Sequence, residues 1–226
     1  NIDRWQACAV EFDPDQMDTP LEVHIGIDLA STSDIASIGV IALMPNGRKR
    51  FFGKHYLPEE TVQTLYRKSK VPLLEWSRGG WLTLTPGNVI DYAWIEADLD
   101  AMLEKWNVKA IGYDRWNASQ LVNNMMEKNA PMVPIGMGYA SMNAPMRELE
   151  RQYLSGEIEH NNDPVINWAA SNIVVEQDPA GNIKPAKNKS SEKIDPIVAL
   201  IIAQARAMLA ETDQFIIPDD YELMMI

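Results

Sequence analysis

Three apolar segments joined by short polar connections open the sequence, and this pattern restricts the possible folds more than any other feature. Apolar residues alternate with other residues over positions 23–27, which predicts a strand that ends at Asp28. A second apolar run covers residues 35–44, and a third strand is predicted at residues 51–56. The sequence PNG at residues 45–47 lies between them and is typical of a hairpin turn. We therefore expect a three-stranded antiparallel meander at the start of the fold.

Helices and strands alternate after the meander. Periodicity and helix-start signals predict helices at residues 58–70, 91–106, 117–128, 143–154 and 164–170. Short apolar runs predict strands at residues 108–114, 131–136 and 173–176. Residues 71–90 contain two prolines and three glycines, which suggests an excursion or a flap but leaves open whether they are part of the sheet. A meander followed by alternating helices and strands is typical of an α/β fold with a mixed sheet flanked by helices.

The last helix has the clearest periodic pattern. Its apolar residues follow the i, i+3, i+4, i+7, i+8 spacing of one helix face: Ile194, Ile197, Val198, Ile201, Ile202 and Ala205. Ser191 is a good N-cap, and Pro196 is compatible with a helix in its first turn, where the missing N–H costs little. This pattern places Asp195 in the first turn of a helix that buries one face.

The charge of the chain limits the ligands that it can bind. Its 226 residues include 20 basic and 32 acidic ones, and the net charge of −12 argues against a surface that binds nucleic acid everywhere. Local basic clusters remain at residues 48–50 and before the last helix. The members of the second cluster are Lys184, Lys187, Lys189 and Lys193. A protein that contacts a DNA backbone through one such patch is compatible with this distribution.

Several other classes of site are excluded by composition. Cys8 is the single cysteine, which excludes an intrachain disulfide and a thiolate zinc cluster. The three histidines have no zinc-site spacing, and no P-loop motif is present. No uncharged apolar run approaches the roughly 18 residues of a membrane span, and the start does not resemble a signal peptide. We expect an intracellular, soluble domain that does not contact a membrane.

Three aspartates lie at the ends of predicted elements, in a pattern that suits metal binding. Asp28 and Asp114 each end a strand, and Asp195 begins the last helix. They would meet if the two strands are neighbours and the helix packs on the same sheet. Mg²⁺ and Mn²⁺ prefer such oxygen ligands, and two ions roughly 4 Å apart promote phosphodiester cleavage. Each aspartate is also compatible with a turn, cap or helix-dipole role, so spacing alone leaves both interpretations open.

Several segments resemble, in order, the C-terminal nuclease domain of tailed-bacteriophage terminase large subunits. They are residues 26–34 (GIDLASTSD), 83–92 (TLTPGNVIDY), 112–117 (GYDRWN) and 193–200 (KIDPIVAL). Residues 161–168 (NNDPVINW) and 181–185 (GNIKP) are similar to further segments of that family. The similarity extends over residues 21–210, and several motifs in order are far more specific than any single one.

The resemblance implies a ribonuclease H-like fold and a two-metal endonuclease that cuts concatemeric viral DNA during genome packaging. It assigns the metal-binding and catalytic roles to Asp28, Asp114 and Asp195, with two Mg²⁺ or Mn²⁺ ions as cofactors. It also gives Asp34 a supporting role as an additional acid near the site. The residues then expected to contact the DNA backbone are Lys184, Lys187, Lys189 and Lys193.

The resemblance also implies a domain organisation and a set of partners. Residues 1–20 are interpreted as a lead-in from an upstream ATPase domain, residues 21–210 as the nuclease domain and residues 211–226 as a C-terminal tail. The expected partners are double-stranded DNA, the ATPase domain of the full-length chain, the portal and the small terminase subunit. The expected location is the cytoplasm of the infected bacterial host.

Two alternatives remain open at this point. Residues 26–29 (GIDL), followed by Ser and Thr, resemble the first phosphate loop of actin-like and sugar-kinase ATPases, although a second glycine-rich loop is missing. A non-catalytic docking module of a packaging motor would instead use the apolar tail at residues 215–217 and 223–226 for contacts. Loss of Mg²⁺ or Mn²⁺ would abolish the activity of a nuclease and leave a docking module unaffected.

Overall fold

The computed structural model describes residues 1–29, 34–115, 120–190 and 192–213, and the predicted N-cap Ser191 and the apolar tail lie outside these ranges. The strands are β1 (Glu22–Asp28), β2 (Ala36–Leu43), β3 (Lys49–Pro58), β4 (Thr83–Thr85), β5 (Val108–Asp114), β6 (Met132–Ile135), β7 (Ile158–His160), β8 (Val175–Gln177) and β9 (Ile183–Pro185). The helices are α1 (Ile2–Gln6), α2 (Val62–Ser69), α3 (Leu73–Arg78), α4 (Tyr92–Lys105), α5 (Gln120–Glu127), α6 (Tyr139–Ser155), α7 (Pro164–Asn172) and α8 (Asp195–Asp213).

The central sheet is mixed. Its strand order is β4-β3-β2-β1-β5-β6, and β7 also pairs with β3. β1, β2 and β3 are antiparallel neighbours, which confirms the predicted meander. β5 runs parallel to β1, and β6 runs parallel to β5. The predicted mixed sheet flanked by helices is confirmed, and the pairing of β1 with β5 places the ends of two acid-bearing strands side by side.

Residues 71–90 contribute a strand to the sheet, which decides between the two interpretations that the sequence left open. They contain α3 and β4, and β4 pairs in parallel with the end of β3. Leu73, Trp76 and Leu82 are buried in a small hydrophobic cluster at this edge, together with Leu57 of β3 and Val165 of α7. The glycines that predicted an excursion instead form the turns around β4, where Gly80 and Gly87 have positive φ.

A row of glycines crosses the sheet where α8 packs against it. These residues face one another in register across β5, β1, β2 and β3: Gly112, Gly26, Gly39 and Gly53. A Cβ atom at Gly26 would lie 2.1 Å from the carbonyl oxygen of Ala199, and one at Gly39 would lie 2.5 Å from the backbone nitrogen of Leu200. Because the backbone of α8 contacts the sheet directly here, a side chain on either glycine would push the helix away.

The first half of α8 is buried on every side. Residues 195–204 are buried without interruption, since β1 and β2 contact the helix, and so do α6 and α7. The sequence predicted only one buried face, because that prediction was based mainly on the spacing of the large apolar residues. Ala199 and Ala203 provide the closest contacts with the sheet instead. None of the helices within the described ranges combines the length and the hydropathy needed to cross a membrane.

The beginning of the chain packs onto the domain, where the sequence predicted an irregular segment. α1 buries Trp5, and its indole Nε1–H donates a hydrogen bond to Asn167 Oδ1 at 2.7 Å. The Trp5 ring stacks on His160 with 4.5 Å between ring centroids, and Cys8 is buried nearby. A helix of five residues is too short to show a periodic pattern in the sequence. The interpretation of residues 1–20 as a lead-in between domains stays a prediction.

Replacing Gly26 with alanine is expected to lower the free energy of unfolding by about 3 kcal/mol or more, because the new methyl group would overlap the backbone of α8. Gly138→Ala is the matched control, since a Cβ there meets no atom within 4 Å and the φ of −84° suits alanine. The free energy of unfolding of both variants is measured by urea denaturation, with tryptophan fluorescence as the signal. Equal stability of the two variants would contradict the close contact of α8 with the sheet.

His160 is expected to make the domain less stable in acid. Burial is the main reason that the pKa of His160 is lowered, and the neutral ring donates from Nε2 to the Trp5 carbonyl and accepts from the Asn162 N–H at Nδ1. The unfolded chain therefore takes up the proton more readily than the folded one. This contribution to stability is complete above about pH 6.5 and is lost as the pH falls through the lower pKa of the folded state.

The measurement is the free energy of unfolding of the wild-type domain and of His160→Gln between about pH 7 and pH 5. Glutamine can still donate to one partner and accept from the other, so the comparison isolates the titration. The wild-type value is expected to fall more steeply than that of the variant. Parallel pH profiles would show that His160 does not titrate differently in the folded and unfolded states.

Candidate active site

Two buried carboxylates share one ammonium group at the edge of the sheet. Asp28, the last residue of β1, is 1 % exposed, and Asp195, the first residue of α8, is 5 % exposed. The Nζ atom of Lys187 lies 2.5 Å from Asp28 Oδ2 and 2.9 Å from Asp195 Oδ1. The contact of α8 with the glycine row places its first turn beside the end of β1, so these two acids, which are distant in sequence, meet around one cation.

Asp114 lies at the same edge of the sheet. It ends β5, one position beyond Tyr113, which pairs with Ile27 of β1. Its negative charge is one of the influences that raise the pKa of Asp28. Its side chain also lines a cleft of about 400 Å³ together with Lys187. The structure therefore brings the three predicted acids to one corner, which is called the acid corner below.

Burial favours the protonated form of Asp28. The pKa of Asp28 is raised to about 7, and removal from water is the main cause. Lys187 acts to lower it, while the charges of Asp195 and Asp114 contribute to the increase. Burial also disfavours the charge of Lys187, but the carboxylates of Asp28 and Asp195 outweigh this effect and raise the pKa of Lys187 above its ordinary value. The acid corner thus stabilises a positive charge between Asp28 and Asp195.

The donor atoms of the acid corner suit a hard divalent cation. Carboxylate oxygens are the ligands that Mg²⁺ and Mn²⁺ prefer, and the ammonium of Lys187 already lies where a cation contacts both Asp28 and Asp195. Within the described ranges, no three side chains of His, Cys, Asp or Glu converge as the ligands of one ion.

The other predicted basic residues also contact acids. We use the name lysine segment for residues 184–193, which cover the end of β9 and its connection to α8. Lys184 and Lys189 contact Glu176 of β8, at 3.4 and 2.9 Å. Lys193 forms an ion pair with Asp34, the acid that was given a supporting role. All four lysines predicted to contact DNA are therefore paired with carboxylates in this structure.

A buried polar chain beside Asp28 was missed in the sequence. His55 Nδ1 lies 3.0 Å from Ser37 Oγ, and His55 Nε2 lies 3.1 Å from Asp163 Oδ2. All three residues are at most 2 % exposed, and Ser37 is the cross-strand partner of Asp28. The spacing of the histidines could not reveal this chain, because strand register brings the residues together. The one available signal was the strong N-cap at Asp163, which accepts the Val165 N–H at 2.7 Å.

Comparison with known proteins assigns a family to this chain. A family described as "Terminase large subunit, endonuclease domain" matches residues 1–211. The chain belongs to this family. The terminase large subunit of Enterobacteria phage HK97 is 27 % identical over 212 residues, which are 93 % of this chain and 41 % of that protein. Protein YmfN of Escherichia coli (strain K12) is 27 % identical over 223 residues, which are 94 % of this chain and 49 % of that protein.

Solved structures of terminases share the fold. The crystal structure of the HK97 large terminase matches with a TM-score of 0.83 and 26 % identity, over 91 % of this chain and 43 % of that one. The large terminase nuclease of thermophilic phage G20c matches with a TM-score of 0.55 and 14 % identity, over 87 % and 85 % of the two chains. The ribonuclease H-like fold expected of this terminase nuclease domain is thereby confirmed. The chain spans less than half the length of the two curated relatives.

Proposed function

We propose that this terminase domain is a metal-dependent DNA endonuclease that cuts concatemeric viral DNA during genome packaging. The observation that carries the proposal is the buried pair of Asp28 and Asp195, which contacts the ammonium of Lys187 at the corner where Asp114 also lies. Membership of the terminase endonuclease family supports the hydrolysis of DNA as the reaction. The proposed mechanism is two-metal phosphodiester hydrolysis.

The proposed cofactors are two Mg²⁺ or Mn²⁺ ions. The G20c nuclease, which shares the fold with TM-scores of 0.53 and 0.52, has been crystallised with magnesium and with cobalt. Asp28 would be the ligand shared by the two ions, because the charges of both Asp195 and Asp114 act on its carboxylate. Asp114 and Asp195 would each complete the coordination of one ion. Asp34 keeps a supporting role through its ion pair with Lys193.

The protein holds the two buried acids in fixed positions and keeps bulk water away from them. Bound ions of this class supply a water molecule of lowered pKa and stabilise the leaving 3′ oxygen. Asp28 and Asp195 are fixed because β1 is a central strand and the first half of α8 is buried on every side. Their burial excludes bulk water, which strengthens electrostatic interactions in the acid corner.

The substrate is proposed to be double-stranded DNA, contacted along its backbone without base reading. Lys184 and Lys187 line the cleft beside Asp114, and Lys189 and Lys193 follow in the lysine segment. An ATPase domain of the full-length chain, the portal and the small terminase subunit are the proposed partners. Packaging of viral DNA would place the reaction in the cytoplasm of the infected bacterial host.

The family assignment favours a nuclease over an actin-like or sugar-kinase ATPase. A docking module without catalysis stays the alternative, and metal-dependent cleavage distinguishes it from a nuclease. That measurement is the first test of the proposed function.

Asp28→Asn, Asp114→Asn and Asp195→Asn are each expected to slow the cleavage of supercoiled plasmid by roughly 10³-fold, because each removes a charged oxygen ligand. The assay measures nicking and linearisation at low salt with Mg²⁺ or Mn²⁺, and EDTA is expected to abolish cleavage by the wild-type domain. Asp100→Asn is the matched control, since Asp100 lies on α4 and pairs with Lys128 at 2.7 Å. If all three variants still cleave the plasmid, the assignment of the acids is contradicted. If the folded wild-type domain does not cleave it, the docking module is favoured.

DNA binding by this domain is expected to be weak and strongly dependent on salt. The chain carries a net charge of −12, and its proposed contacts are lysines on phosphates. Each phosphate contact lowers the logarithm of the association constant by about 0.9 per tenfold increase in salt. Fluorescence anisotropy with a labelled duplex, between about 50 and 200 mM salt, measures this slope. A tight complex that does not respond to salt would contradict backbone binding through the lysine segment.

A further inference from the structure

Lys187 lies where the proposed reaction needs a divalent ion. Its ammonium lies between the two buried carboxylates, 2.5 Å from Asp28 and 2.9 Å from Asp195. A divalent ion bound by the same two acids would occupy this position. An ammonium and a metal ion cannot share it, because two positive charges a few ångströms apart repel strongly where little water screens them.

We propose that Lys187 is an internal counterion of the acid corner, which stabilises the metal-free domain and is displaced when a divalent ion binds. The proposal rests on the proposed function, since it assumes that Asp28 and Asp195 bind metal. It adds a role for a residue that the sequence assigned to DNA contacts alone. In this role Lys187 lowers the affinity of the free domain for metal ions.

Burial explains why the acid corner needs a counterion. Asp28 and Asp195 are 1 % and 5 % exposed, and two neighbouring carboxylates removed from water repel each other unless a cation lies between them. Lys187 meets this need, and its own side chain keeps 46 % exposure. The Lys187 side chain is therefore in contact with solvent as well as with the acids.

The location of Lys187 in the chain permits this displacement. Lys187 lies in the connection between β9 and α8, and its contacts with the acids are made by a long unbranched side chain. Its neighbours in the cleft include Lys184, Asn188 and Asp114. Withdrawal of the side chain therefore requires no movement of β1 or α8.

Removal of the lysine tests the proposal by metal binding, independently of cleavage. Calorimetric titration with Mn²⁺ is expected to show about tenfold tighter binding to Lys187→Ala and to Lys187→Met than to the wild-type domain. The methionine variant retains the side-chain volume without the charge. Lys54→Ala is the matched control, because Lys54 is also 46 % exposed and pairs with one carboxylate, that of Asp98, away from the acid corner. Its affinity for Mn²⁺ is expected to equal that of the wild type.

Thermal unfolding supplies a second readout. Without metal, Lys187→Met is expected to unfold about 4 °C below the wild type, because the two acids lose their counterion. Saturating Mn²⁺ is expected to remove this difference, since the ion then replaces the ammonium in both proteins. A lysine that acted only in packing would leave the same deficit with and without Mn²⁺.

The outcomes separate this proposal from the proposed function. Asp28→Asn shows whether the Mn²⁺ site is the acid corner, because binding at that corner requires Asp28. If binding depends on Asp28 and both Lys187 variants have the wild-type affinity or a weaker one, the counterion proposal is wrong and the proposed function stands. If neither the wild type nor the Lys187 variants bind Mn²⁺, the proposed function fails and this proposal fails with it.

Discussion

The direct contact between α8 and the sheet is the constraint on which the rest of this structure depends. The backbone of α8 passes directly over Gly26 and Gly39. The packing there leaves no space for a side chain at either position. The contact sets the position of the helix along β1, and Asp195 therefore lies beside Asp28. The glycine row carries no functional group, yet the geometry of the acid corner follows from it.

A second constraint is electrostatic. Acids that are buried to bind a cation repel one another when the cation is absent, and the protein must compensate for this. The lysine segment does so with Lys187 between the two buried acids and with Lys193 on Asp34. A chain with a net charge of −12 thus contains a local balance of charge around its candidate site. The buried negative charge makes this corner unfavourable without a cation, and the same charge makes it suitable for divalent ions.

The predictions from sequence were most accurate where an element was long or had a regular period. The meander, the strand that ends at Asp114 and the last helix were all identified, because alternation and helical spacing are local properties. The short elements α1, α3, β4, β7 and β9 were missed, since three to six residues carry no period. β4 in particular depends on pairing with β3, a contact that its own glycine-rich surroundings did not indicate.

The sequence by itself determined which acids end or begin an element, and its ordered motifs indicated the terminase nuclease family. Only the tertiary structure decided which side chains meet, because strand register and helix packing set the distances between residues that are remote in sequence. Register placed Asp114 near Asp28 and built the buried chain from Ser37 through His55 to Asp163. The packing of α8 and the position of Lys187 before it placed this lysine on two acids, although the basic cluster and the family resemblance had indicated a DNA contact.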